Sequence, residues 1–110
     1  MLFAQAGMLD PTFGSGGIVI IPIGNNNNEG YSVALQSDGK IVVAGNSYNS
    51  SNSDIALVRC NNNGSLDNTF GTGGIVTTSV GSNNDFGYSV ALQSDGKILV
   101  AGYSSSIFGA

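Results

Sequence analysis

The sequence predicts an all-β chain assembled from one short repeated unit, and three observations carry that expectation. A 57-residue segment occurs twice without a gap. Each copy breaks into brief runs of β-branched and apolar residues bounded by Gly, Asn, Ser and Asp, the residues that build turns. Charged residues make up only 9% of the chain, and the balance is filled by 17 Gly, 15 Ser and 13 Asn. Gly and Asn disfavour helices, and ion-paired helix faces need charges that this chain lacks.

The repeat sets the frame for everything else. LDPTFGSGGIV from Leu9 returns as LDNTFGTGGIV from Leu66, and GYSVALQSDGKIVVAG from Gly30 returns as GYSVALQSDGKILVAG from Gly87. Residues 9–47 align with 66–104 at 28 identities in 39 pairs, which marks a duplication. Residues 1–8 then form an N-terminal stub, 9–65 the first repeat and 66–110 the second. A first strand is expected at Gly17–Ile21 and again at Gly74–Thr78, where β-branched side chains suit a pleated surface. A second, Tyr31–Gln36, alternates, with Tyr31, Val33 and Leu35 on one side and Ser32, Ala34 and Gln36 on the other. A third, Lys40–Ala44, is apolar on both sides, as a strand sandwiched between two layers would be. Between the second and third lies Ser37-Asp38-Gly39-Lys40, and Asp-Gly predicts a two-residue type I′ hairpin. A fourth strand at Asp54–Arg59 completes the first copy. Its counterpart in the second copy would fall past Ala110, while Met1-Leu2-Phe3 match Val58-Arg59-Cys60 one repeat earlier and read as the end of a preceding strand.

Four short antiparallel strands per unit is the content of one β-propeller blade, so the chain reads as about two blades with the second incomplete. A β-sandwich could use the same strands but has no reason to repeat its loops. The motifs LD-x-TFG-x-GGIV, GYSVALQSDGKI-x-VAG, S-D-x-ALVR and N-GSLD resemble those of the delta-60 repeat family of β-propellers, over nearly the whole chain from Leu9. The chain departs from that pattern at Cys60, where an aromatic is commoner, and in having two copies where a closed propeller needs more. The resemblance implies large, often secreted or surface-associated microbial proteins, and it transfers no catalytic residues.

Composition narrows the function. The net charge is −4, with Lys40, Arg59 and Lys97 as the basic side chains. Three cations cannot make the basic footprint that nucleic-acid binding requires. No apolar run reaches the roughly 18 residues of a membrane span, and the N-terminus lacks the basic start and long apolar stretch of a signal peptide. Localisation is therefore open, with the cell surface implied by the resemblance alone. There is no His, so the commonest general base and metal ligand is missing. Cys60 without His makes no thiol dyad. The recurring acids, Asp10 with Asp67 and Asp38 with Asp95, sit in turns and suit a scaffold better than one active site. The segment Arg59–Asp67 has the Gly and the ninth-position Asp of a calcium loop, yet Arg59 stands at its first position and Asn61 and Asn63 are neutral. Turn chemistry explains it better. No enzyme, cofactor or metal site is expected.

The remaining candidate is one rim. Loops after the first and third strands share an end of the blades, and they are the long, divergent ones. A ligand rim is expected there from Asn26, Asn27, Tyr48, Asn83, Asn84, Phe86 and Tyr103, whose amides and rings suit the hydroxyls and faces of a glycan or a protein ligand. The plainer reading is that Asn-rich loops vary because they are solvated and idle. The expected role is a non-catalytic structural or protein-interaction scaffold, with adhesin or carbohydrate binding as the alternative. The expected partners are neighbouring blades, whether of a longer propeller or of other copies joined head to tail in a ring or filament.

Overall fold

Alternation and turn chemistry place six antiparallel strands among the described residues. In the computed structural model, which describes residues 7–24 and 26–105, these are β1 (Asn28–Leu35), β2 (Ile41–Tyr48), β3 (Ser53–Cys60), β4 (Ile75–Thr78), β5 (Asp85–Leu92) and β6 (Ile98–Ser104). The first four form one sheet in the order β1-β2-β3-β4, and β5 pairs with β6 in a second. The described residues contain no helix.

The expected first strand forms in one copy only. Ile75–Thr78 is β4 and pairs with Ile55–Val58 of β3, whereas the matching residues Ile18–Ile21 carry a single bridge, Ser15 with Ile18. A strand needs a partner, and the partner of β4 is the fourth strand of the copy before it. For Ile18–Ile21 the equivalent partner, one repeat earlier, lies outside the described residues, as does the stub expected at Met1-Leu2-Phe3. The four-stranded sheet therefore takes three strands from the first repeat and one from the second, crossing the sequence boundary between residues 65 and 66.

The two hairpins are alike, but their turn differs from the expected type I′. Gln36 N–H donates to Lys40 C=O at 2.8 Å and Gly39 N–H to Gln36 C=O at 3.0 Å, with Gln93, Lys97 and Gly96 repeating both bonds. Within these two turns only Gly39 and Gly96 have positive φ, each at 88°. This is a three-residue loop in which a turn over Ser37-Asp38 ends in a left-handed glycine, a pattern that also favours Asp-Gly. The Asp side chain supports it, since Lys40 N–H donates to Asp38 Oδ1 at 3.0 Å. Both hairpins also carry a bulge, between Gly30 and Ser32 and between Gly87 and Ser89. Beside it the strands come very close: a Cβ on Gly45 would lie 1.8 Å from the carbonyl oxygen of Glu29, and one on Gly102 equally close to that of Phe86.

The sheet has cover on both faces. Val42 and Ala44, fully buried, share the face that β5 lies over, where Val90 N–H donates to Ser32 Oγ at 3.3 Å. On the other face Val19, Ile21 and Ile23 line a groove of about 270 Å³ with Val43, Ala56 and Val58. The expectation that β2 is sandwiched thus holds at its centre. The outer strand departs from it, because Val33 and Leu35 are 64% and 71% exposed. Their side of β1 extends beyond the Val19–Ile23 segment, while the small Ser32 and Ala34 turn toward the neighbouring hairpin.

Candidate functional site

Strand direction sorts the loops onto two rims. The hairpins at Gly39 and Gly96 and the linker at Asp67 share one. The turns before β1, between β2 and β3, between β4 and β5 and after β6 share the other. That second rim holds the residues expected to bind a ligand, and the fold ties several of them together. Asn26 Nδ2 donates to Ser50 Oγ at 2.8 Å, and Tyr48 N–H donates to Asn27 C=O at 3.0 Å. Asn84 spans the two sheets: its Oδ1 accepts from Ser53 N–H at 2.9 Å, and its C=O accepts from Ser105 N–H at 2.8 Å. Its amide is therefore committed to holding the rim. Asn83 lies in the β4–β5 turn. Tyr103 is 56% exposed and stacks beside Phe86, with centroids 6.4 Å apart. Phe86 also stacks on Tyr88 at 6.0 Å, and Tyr88 meets Tyr31 at 5.1 Å. A row of four rings thus joins the two hairpins.

Three of the expected residues, Asn27, Tyr48 and Phe86, come together around a recess of about 240 Å³ between the sheets, with Glu29, Asn46 and Ser53 as its other walls. Glu29 lies directly across from Asn46, and Tyr48 across from Ser53. Asn46 is only 4% exposed, and its Oδ1 has no hydrogen-bond partner. Sequence reasoning missed Asn46 and Glu29 because it ended the third strand at Ala44 and placed what followed in loops. One signal was available: at these positions the second repeat has Tyr103 and Phe86, inside a framework that is otherwise nearly identical.

A buried carboxylate anchors the same rim in the second repeat. Asp85, fully buried, accepts from Ser104 Oγ at 2.5 Å, Val80 N–H at 2.9 Å and Gly81 N–H at 3.2 Å. Burial pushes its pKa up, but these three donors outweigh it and hold the carboxyl below its ordinary value. The first repeat solves the same junction without charge, Asn28 Oδ1 accepting from Ser47 Oγ at 2.8 Å.

On the opposite rim Asp67, 3% exposed, forms ion pairs with Arg59 at 2.8 Å and Lys40 at 3.0 Å. It also accepts from Thr69 N–H and Oγ1 at 3.0 and 2.6 Å. The Thr69 hydroxyl, then Lys40, hold its carboxyl well below the usual range. Arg59 lies 4.6 Å from the centre of the Phe70 ring. The carboxylate of the calcium-like segment is thus taken up by the protein's own cations. Cys60 is buried, and desolvation raises its thiol pKa, which favours the unreactive thiol form.

Charge is divided unequally between the rims. Lys40, Arg59 and Lys97 all stand at the hairpin rim with Asp10, Asp38, Asp67 and Asp95, whereas Glu29, Asp54 and Asp85 stand at the loop rim. Of the net −4, three negative charges belong to the loop rim and one to the other. No basic side chain lies within ion-pair reach of that acidic rim; Lys97 pairs with Asp95 at 3.8 Å.

Two segments, residues 36–70 and 93–110, match the family model described as a domain of unknown function (DUF5122) beta-propeller. They start at Gln36 and Gln93, one repeat apart, so the match follows the same duplication. No curated protein and no solved structure matches the chain. The antiparallel sheets and this match over part of the chain agree with the β-propeller-type fold class expected from the repeat.

Proposed function

We propose that this chain is a non-catalytic propeller segment that works as an interaction scaffold, its uncovered sheet faces seated against further blades. One position carries this reading. Val42 and Leu99 are equivalent in the repeat, yet Val42 is fully buried beneath β5 while Leu99 is 53% exposed. The first blade shows what covers that face, and the second presents the same face uncovered. Apolar surface of this kind usually marks an interface. The motifs quoted for the delta-60 repeat family support the finer assignment within propellers. The covering blade comes from adjoining repeats or from another copy docking head to tail, and three or four chains would supply six to eight blades. Light scattering and thermal melts across a dilution series test this. Mass and melting point should both rise with concentration. A compact monomer at micromolar concentration, melting cooperatively and independently of dilution, would overturn it.

A further inference from the structure

We propose that the recess walled by Asn27, Glu29, Asn46, Tyr48, Ser53 and Phe86 is a binding site for a primary ammonium group, carried as a lysine side chain on a partner protein. The proposal deepens the interaction-scaffold reading, and rests on it only for taking the amine from a protein. Asn46 sets the chemistry. Asn46 lines the recess, and its Oδ1 is buried without a donor; a buried acceptor left unpaired is costly, so the site favours an occupant that brings N–H groups. Directly across the strand pair stands Glu29, an exposed carboxylate whose Oε2 accepts from the Tyr31 hydroxyl and whose other oxygen is left to a further donor. A second acceptor at the same rim, Asp54 Oδ1, also lacks a donor. An ammonium group has three donors and no acceptor, which complements this set.

Two further observations point the same way. Tyr48 and Phe86 supply aromatic walls, against which the apolar stem of a lysine can pack and a cation is attracted. The protein's own basic side chains are all at the opposite rim, so the acidic rim is left to a cation from elsewhere. The duplication adds a control within the molecule. The repeat keeps its turn and strand residues, but Glu29, Asn46 and Tyr48 of the first copy become Phe86, Tyr103 and Ser105 in the second. The recess is therefore a property of one junction and not of the repeat.

The test is a titration of the full chain, labelled with ¹⁵N, with the blocked tripeptide acetyl-Gly-Lys-Gly-amide, and in parallel with the same peptide acetylated on the lysine Nζ. The lysine peptide should shift the Asn46 side-chain amide and the Tyr48 and Ser53 backbone amides saturably, and the acetylated peptide should not. Glu29→Gln, at an exposed position, should weaken binding about tenfold, as loss of a charge-assisted contact does. Asn46→Ala should weaken it as well, and a preserved amide spectrum shows that either variant is folded. Equal response to both peptides, shifts confined to the hairpin rim, or an affinity unchanged in Glu29→Gln would each overturn the assignment, as would saturable binding of methyl glucoside in place of the amine. Blade stacking is read from mass against dilution and this site from peptide titration, so either can fail alone.

Discussion

Leu9–Val19 and Leu66–Val76 are nearly the same peptide in two different states. In the second copy Ile75 and Val76 are strand residues and Asp67 is buried between two cations; in the first, Ile18 has one bridge and Asp10 is exposed, its carboxylate accepting from Thr12. The difference does not come from the eleven residues themselves. Gly74 C=O accepts from Arg59 N–H at 2.9 Å, and Lys40, Arg59 and β3 all belong to the preceding repeat. A propeller repeat carries half of each junction, and its structure is completed by the neighbour before it. The hairpins give the complementary result. Gly30–Ile41 and Gly87–Ile98 are identical and fold alike, down to the bulge, because their bonds are made within one repeat.

The largest contrast should come from the close approach at the bulge. Gly45→Ala sets a Cβ against the Glu29 carbonyl in the middle of a four-stranded sheet, and should cost about 3 kcal/mol or more. Gly102→Ala makes the same clash in a two-stranded hairpin and should cost less, since less structure depends on it. Denaturant melts of both variants compare them, and equal losses would show that the second hairpin is as fully packed as the first.

Truncating the equivalent pair Val42 and Leu99 separates neighbour-dependent from intrinsic burial. Val42→Ala should destabilise by about 2 kcal/mol, and Leu99→Ala by less than about 0.5 kcal/mol in dilute protein. If blades stack between chains, the Leu99 effect should grow with concentration. A Leu99 effect as large as that of Val42 at every dilution would mean that the second face is already covered within one chain.

Acid should expose the difference between Asp67 and Asp10. Both carboxyls are held below their ordinary 3.8, so each contributes stability that is present above that value and lost as pH falls through the folded-state pKa. Asp67 is held further down, by two cations as well as by its threonine, and should contribute more. Melting points followed from pH 6 to pH 2 should fall less steeply in Asp67→Asn, while Asp10→Asn should stay close to the parent curve. Identical slopes for the two variants would remove the distinction between the copies.

The smallest contrast lies in the turns. Gly39→Val and Gly96→Val place a β-branched residue at positive φ and should each cost about 1–2 kcal/mol by similar amounts, since the turn is local. Asn26→Ser, which loses one exposed bond to Ser50, should stay within about 0.5 kcal/mol. Unequal glycine penalties would show that the hairpin tips touch something beyond their own repeat.

Much of the fold was legible. Period-two alternation, Asp-Gly tips and the gapless 57-residue repeat identify the strands, the hairpins and the propeller class, because these depend on residues close in the chain. The turn type was misread because Asp-Gly suits both a two-residue loop and a three-residue loop ending in a left-handed glycine, and the choice depends on which pair closes it. The rim was half legible. Its Asn and aromatic residues were visible as loop composition, but Asn46 and Glu29 acquire meaning only when β1 and β2 set them opposite each other and β5 closes over them. By itself the sequence determined the strands and the Asp-Gly hairpins, which each repeat forms within its own span. The tertiary structure decided which copy of a residue is buried, paired or charged against a partner, since those properties belong to the junction between repeats and need both sides of it.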